Sequence, residues 1–198
     1  MEVNSEYKLK TANYIRVISD KRQILLGNTH HYNLNHVKHA INRNNGTYDK
    51  LPHFTITKDG KIYQHFDVKF YSNYLSGEYT KDVISIGLEN IGQIFEEKGI
   101  YTDIYNNIYE GTPFEKNWKN CSIWDPYTET QFESCIYLCN KLIDENQISR
   151  AVMPANVFKQ DIANFKGICY KSNYDSKYYD LNPNWDFEKF KEKIEKNG

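Results

Sequence analysis

Hydrophobic and polar positions follow two different periods along this chain, and the switches between them mark out strands and helices. Gln23-Ile-Leu-Leu-Gly-Asn28 is a short apolar run, the pattern of a strand buried on both faces. His53–Thr57 and Lys61–Phe66 alternate on either side of Lys58-Asp59-Gly60, and Asp-Gly between alternating segments predicts a hairpin. Val83–Glu89 is apolar at nearly every position, as expected for a central strand covered on both sides. Tyr14–Ser19 alternates and predicts another strand, and Ala151–Met153 a short one stopped by Pro154.

The helical period appears three times. Asn33 is placed to cap a helix through Arg43 that carries Leu34, His36, Val37 and Ile41, and Asn44-Asn45-Gly46 stops it. Thr128-Glu-Thr-Gln131 reads as a capping box opening a helix to about Glu145, with Phe132, Cys135, Ile136, Leu138, Cys139, Leu142 and Ile143 on its apolar side. Trp185–Lys196 predicts a terminal helix capped near Asn184 or Asp186. Residues 92–126 have scattered aromatics and no period, so they read as an insertion with an added hairpin. Residues 1–10 read as a flexible N-terminus, and 11–198 as one domain. Alternating strands and helices predict an α/β fold, a central mixed sheet flanked by helices.

Composition narrows the function classes. The 198 residues carry a formal net charge of −1, which gives no global field to gather nucleic acid or an anionic membrane. Mean hydropathy is −0.77 although aromatics make up 15%, so the core is built from rings under a very polar surface. The N-terminus MEVNSEYKLK has no apolar stretch of a signal peptide, and no run approaches the ~20 apolar residues that span a bilayer. The four cysteines include no CxxC pair, and Cys135 and Cys139 lie one helical turn apart, so free thiols in a reducing compartment are expected. The implied location is cytoplasmic or virion-associated.

Four elements then arrive in a telling order: the strand ending in Asn28-Thr29, the hairpin His53–His65, the strand Ser85-Ile-Gly-Leu-Glu89, and the Pro126-Tyr-Thr-x-x-Gln131 helix start. Asp180-Leu-Asn-Pro-Asn-Trp-Asp-Phe187 follows near the end. This order resembles the type-2 N-acetylmuramoyl-L-alanine amidases and the related peptidoglycan recognition proteins over roughly residues 13–190. Gly27-Asn-Thr29, Tyr63-Gln-His-Phe-Asp67 and Trp124-x-x-Tyr-Thr128 also resemble a divergent, often phage-encoded branch.

The resemblance implies a zinc site of three ligands: a His ending the first central strand, a His after the long helix, and an Asp or Cys near the C-terminus. A catalytic zinc takes about three protein ligands and one open water position. At the first of these positions this chain has Gly27. The second falls at Met153-Pro154-Ala155, or in another alignment at Lys171. Only Asp180 matches a ligand, so the expectation is no metal, with zinc only if a rearranged site exists. Glu89 matches the family's acid/base glutamate, and reads first as a structural group, then as a ligand-binding carboxylate, and last as a remnant catalytic group. The family's tyrosine before the hairpin histidine is Pro52 here, and its lysine two residues before the third ligand is Tyr178.

Other residues keep two readings. His30, His31, His36 and His39 lie within ten residues, a metal-binding cue that equally describes polar surface. His53 and His65 flank the hairpin as core or rim groups. Tyr63, Phe70, Tyr71, Tyr74, Trp118 and Trp124 are candidates for stacking on sugars or for packing. Lys166, Lys171 and Lys177 read as a solvated loop. The expected function is that of a non-catalytic member of the amidase fold. It would bind a muropeptide or another small polar ligand through Asn28, His53, Tyr63, Glu89, Lys171 and Asp180, or serve as a structural protein with partners in a larger assembly. The alternatives are an active amidase rebuilt from His30 or His31, Glu89 and Asp180, and capture of a nucleotide-like molecule.

Overall fold

The computed structural model describes residues 1–75 and 78–196. A six-stranded mixed sheet forms the centre, in the order β1-β4-β3-β5-β2-β10. Its strands are β1 (Val3–Asn4), β2 (Gln23–Asn28), β3 (Phe54–Ile56), β4 (Ile62–Gln64), β5 (Val83–Leu88) and β10 (Gly167–Tyr170). Between β5 and β10 lie two small hairpins, β6 (Phe95–Glu97) with β7 (Ile100–Thr102) and β8 (Phe114–Trp118) with β9 (Cys121–Trp124). The helices are α1 (Asn35–Asn42), α2 (Glu129–Asn146), α3 (Lys171–Tyr174) and α4 (Phe187–Glu195).

Strands β10, β2, β5 and β3 run parallel, and β4 returns antiparallel through the Asp59-Gly60 turn. Gly60 has φ +79°, the left-handed conformation that such a turn requires. The apolar runs of β2 and β5 follow from burial on both faces. Ile24, Leu26, Ile84, Ile86, Ile168 and Tyr170 pack against α2 and α4 in the main core, with Phe132, Leu142, Trp185 and Phe190. Leu25, Val83 and Cys169 point to the other side, onto Leu75, Met153 and Ile162.

α2 begins where its sequence predicts: the Thr128 hydroxyl accepts the Gln131 N–H at 3.1 Å. The Gln131 amide departs from the capping-box role and donates instead to the carbonyls of Ile56 and Glu89, each at 3.0 Å, tying the helix start to two strand ends. α4 is capped by Asp186, which accepts the Lys189 N–H at 3.0 Å.

Several expectations need correction. Tyr14–Ser19 is not a strand. Only Ile15 bridges to Tyr71, and Val17 and Ile18 are exposed with no neighbouring strand to complete a ladder. α1 is not capped by Asn33. Its N-cap is Leu34 in a left-handed conformation, with no side-chain cap, and the Leu34 N–H is taken by the Glu89 carboxylate. Val3–Asn4, expected to be loose, adds a parallel strand to β4. The segment read as a solvated lysine loop holds edge strand β10 and the buried Lys171. β10 starts at Gly167 (φ +137°), where a Cβ would lie 2.2 Å from the Ala151 carbonyl oxygen, so only glycine suits that crossing. The 92–126 insertion contains both hairpins.

Candidate functional site

Parallel strands β2, β5 and β10 end side by side, and the chemistry gathers at those ends: Asn28 closes β2, Glu89 follows β5 and Lys171 follows β10. Open α/β sheets bind ligands at this edge, outside the carboxyl ends of the strands.

Lys171 lies in the middle. A Cβ built on Gly27 would meet Lys171 Cε at 2.9 Å and Cδ at 3.0 Å, so the lysine stem fills the space a side chain at 27 would take. This decides between the two alignments. The position after the last central strand is Lys171, whereas Met153 packs into the core with Leu25 and Val83 and the Pro154 carbonyl accepts from Asn173. The Lys171 ammonium sits 3.9 Å from the centre of the Tyr74 ring and 5.6 Å from that of Tyr178. Burial alone would lower its pKa. The Tyr74 hydroxyl and the Asp180 carboxylate outweigh burial and raise it, so the group is a fixed cation.

Asp180 is fully buried and accepts the Asn28 N–H at 2.8 Å, with His30 Nε2 at 3.8 Å from the same oxygen. Its second oxygen has no partner. The Asn28 side-chain oxygen accepts from the Tyr127 hydroxyl, while its Nδ2 is unpartnered. Asn28, Lys171 and Asp180 thus converge. Among the described residues, no group of three or more His, Cys, Asp or Glu side chains gathers as a metal cage would.

Glu89 is 3% exposed and receives the Leu34 N–H at 2.5 Å. Burial pushes its carboxyl up, against the pull of the backbone N–H groups of Leu34, Lys58 and Asn33. It borders a cleft of about 770 Å³ that the insertion walls in, lined also by Tyr32, Lys58, Asp103, Tyr105 and Asp125. Asp125 organises this wall: it pairs with Lys58 at 2.8 Å and accepts the Tyr109 hydroxyl at 3.0 Å and the Ile91 N–H at 2.9 Å. The ring of His31 stacks on Tyr105 at 5.1 Å, and His31 borders both this cleft and a smaller cavity over Lys171. The His31–Tyr105 stack and the Asp125 network carry no short motif. They depend on loops meeting in space and leave no local signal in the sequence.

Two candidate residues lie elsewhere. His53 is 1% exposed, with Nδ1 on the Ser85 hydroxyl at 2.9 Å and Nε2 on the Phe70 carbonyl at 3.0 Å, and burial lowers its pKa to about 3. It braces β3 against β5. Tyr63 lies on β4 with its ring 5.5 Å from Tyr7, on the β1 side of the sheet. Of the candidate stacking aromatics, Trp124 is wholly buried and Tyr74 packs on Lys171.

The family model for N-acetylmuramoyl-L-alanine amidase, Amidase_2, matches residues 20–169. No curated protein sequence is similar enough to match. Three solved structures share the fold. The first is the N-acetylmuramyl-L-alanine amidase AmiD from E. coli, in complex with the substrate anhydro-N-acetylmuramic acid-L-Ala-D-gamma-Glu-L-Lys. It has a TM-score of 0.56 at 12% identity, covering 90% of this chain. This chain spans only 59% of AmiD. The amidase LysC from Clostridium intestinale URNW has a TM-score of 0.58 at 15% identity, covering 98% of each chain. AmpD has a TM-score of 0.52 at 14% identity, covering 98% of this chain and 99% of its own. A match over most of the chain, from β2 into the edge strand β10, makes this protein a member of the Amidase_2 family.

Proposed function

We propose that this chain is an amidase-fold protein that binds a peptidoglycan fragment, or a small polar ligand of similar character, without zinc-dependent cleavage. One observation carries the reading: the Lys171 stem occupies the space beside Gly27, and its ammonium, set over the Tyr74 ring, feels the charge of Asp180. A fixed cation beside the one carboxylate left from the expected ligand set opposes a second cation there, and Gly27 offers no donor. The donor set therefore does not suit zinc. In support of binding, the cleft beside Glu89 is open, with Lys58, Asp103 and Asp125 set among a largely apolar lining, and AmiD, on the same fold, is known with a muropeptide.

The test is metal content by elemental analysis, with muropeptide binding by calorimetry and release of stem peptide from peptidoglycan. The expected result is saturable binding, no stoichiometric zinc and no release. Zinc at one per chain, whose removal by chelator abolishes hydrolysis, would establish the opposite reading. That reading is an amidase with a rearranged centre, and its geometric support is His30 beside Asp180 at 3.8 Å. A structural role in a larger assembly needs no pocket, so absence of saturable binding would favour it.

A further inference from the structure

The cavity over Lys171, about 290 Å³ between α1 and the strand ends, is distinct in charge from the Glu89 cleft. Lys171, Arg43, Lys50 and four histidines line it, and no carboxylate does. Arg43, Lys50 and His39 stand exposed at its mouth; Asn28, at 2% exposure, and Lys171, at 8%, lie on its floor. Asp180, behind the floor, offsets one of these charges.

Three lining residues have buried polar atoms without partners: Asn28 Nδ2, His30 Nδ1 and His36 Nδ1. A chain of hydrogen bonds fixes what His36 Nδ1 is. The Tyr7 carbonyl only accepts, so His65 Nδ1 donates to it at 2.9 Å. Burial lowers His65 to about 4, so the ring is neutral and its Nε2 is bare. The Thr55 hydroxyl therefore donates to His65 Nε2 at 2.8 Å and must accept from His36 Nε2, also at 2.8 Å. Burial holds His36 neutral as well, so its Nδ1 presents a lone pair.

We infer that this cavity binds a phosphate group that keeps one proton, as inorganic hydrogen phosphate or as the singly protonated monoanion of a phosphate monoester, the minor form of a monoester at pH 7. The charged oxygens face the Lys171 ammonium and the Asn28 amide, and the phosphate O–H meets the His36 lone pair. Arg43 and Lys50 complete the charge at the mouth. Sulfate, which has no proton at neutral pH, cannot make the His36 bond. The cavity exceeds the bulk of one phosphate and leaves room for an organic group. The inference goes beyond the peptidoglycan reading and stands or falls separately.

Thermal stability is followed in inorganic phosphate, sulfate and chloride at equal ionic strength and pH 7. Phosphate should give a saturable rise in Tm with apparent affinity at least ~10-fold above that of sulfate. Lys171→Met should abolish it, and the surface pair Arg43→Ala/Lys50→Ala, which leaves the core intact, should weaken it severalfold. Thr55→Val, which frees the His36 tautomer, should bring phosphate and sulfate together. No saturable phosphate effect, equal effects of phosphate and sulfate on the unaltered protein, or an undiminished effect in the surface pair would overturn the inference. A glucose phosphate that shifts Tm at lower concentration than inorganic phosphate identifies a monoester as the ligand, and the reverse order identifies the free ion. Muropeptide binding without a phosphate effect removes this inference alone; a phosphate effect without muropeptide binding removes only the peptidoglycan reading.

Discussion

Gly27 and Lys171 are one structural unit. Alanine at 27 puts a Cβ 2.9 Å from Lys171 Cε, closer than real contacts allow, so the lysine end must shift from its place over Tyr74. Gly27→Ala should therefore cost about 1–3 kcal/mol in urea unfolding, the usual range for overpacking a buried site. Lys171→Ala in the same chain should recover most of that loss, and a double-mutant cycle measures the coupling. Additive losses would show that the two residues do not compete for space. The Gly27→His/Lys171→His double variant replaces the cation with two imidazoles beside Asp180. It should gain a zinc-dependent rise in Tm that the unaltered chain lacks, about 2.7 kcal/mol at zinc 100-fold above its Kd.

At the scale of elements, the expectation that held best concerns α2, whose start rests on a local signal. The Thr128 hydroxyl caps Gln131 and also donates to the Lys58 carbonyl at 2.6 Å. Thr128→Ala should cost about 1–2 kcal/mol, read as a shift in urea midpoint without a change in slope. The hairpin at Asp59-Gly60 and the runs of β2 and β5 were legible for the same reason, since turn chemistry and two-sided burial are written in neighbouring residues. β10 was not legible. It is four residues long, begins at a positive-φ glycine, and is an edge strand through pairing with β2 from far along the chain. The missed cap of α1 has a similar cause: Glu89 reaches Leu34 across 55 positions, and Asn33 merely has the composition of a cap. In the candidate site, the place of Gly27 at the end of β2 was readable, since the strand that carries it is written in neighbouring residues. The identity of the group opposite Gly27 was not, because two alignments fit the sequence and only packing separates Pro154 from Lys171. His53 carried both a core and a binding reading because a histidine beside a hairpin looks the same whether it faces a pocket or Ser85; it takes the core one.

For the whole molecule, the buried histidines make stability depend on pH. Burial lowers His53 to about 3 and His65 to about 4, and holds His36 well below the ordinary 6.5. These depressed values mean the folded state keeps the rings neutral while the unfolded chain takes up protons. The stabilisation is complete above pH 6.5 and is lost as pH falls toward 4. Each ring that titrates only in the unfolded state removes about 1.4 kcal/mol per pH unit. A urea series should show the midpoint steady from pH 8 to 7 and falling steeply from 6 to 4.5. A flat profile across that window would mean the rings are charged in the fold. Among the described residues no helix is long and apolar enough to cross a membrane.

The contact between Gly27 and Lys171 also limits how this sequence can change. A histidine introduced at 27 alone collides with the lysine stem. A histidine introduced at 171 alone faces a glycine, so the third ligand that a catalytic zinc takes beside it and Asp180 would have to come from His30, 3.8 Å from that carboxylate. Sterics therefore set the order of change: the lysine has to leave before position 27 can carry a side chain. A sequence moving by single substitutions keeps its glycine for as long as it keeps Lys171.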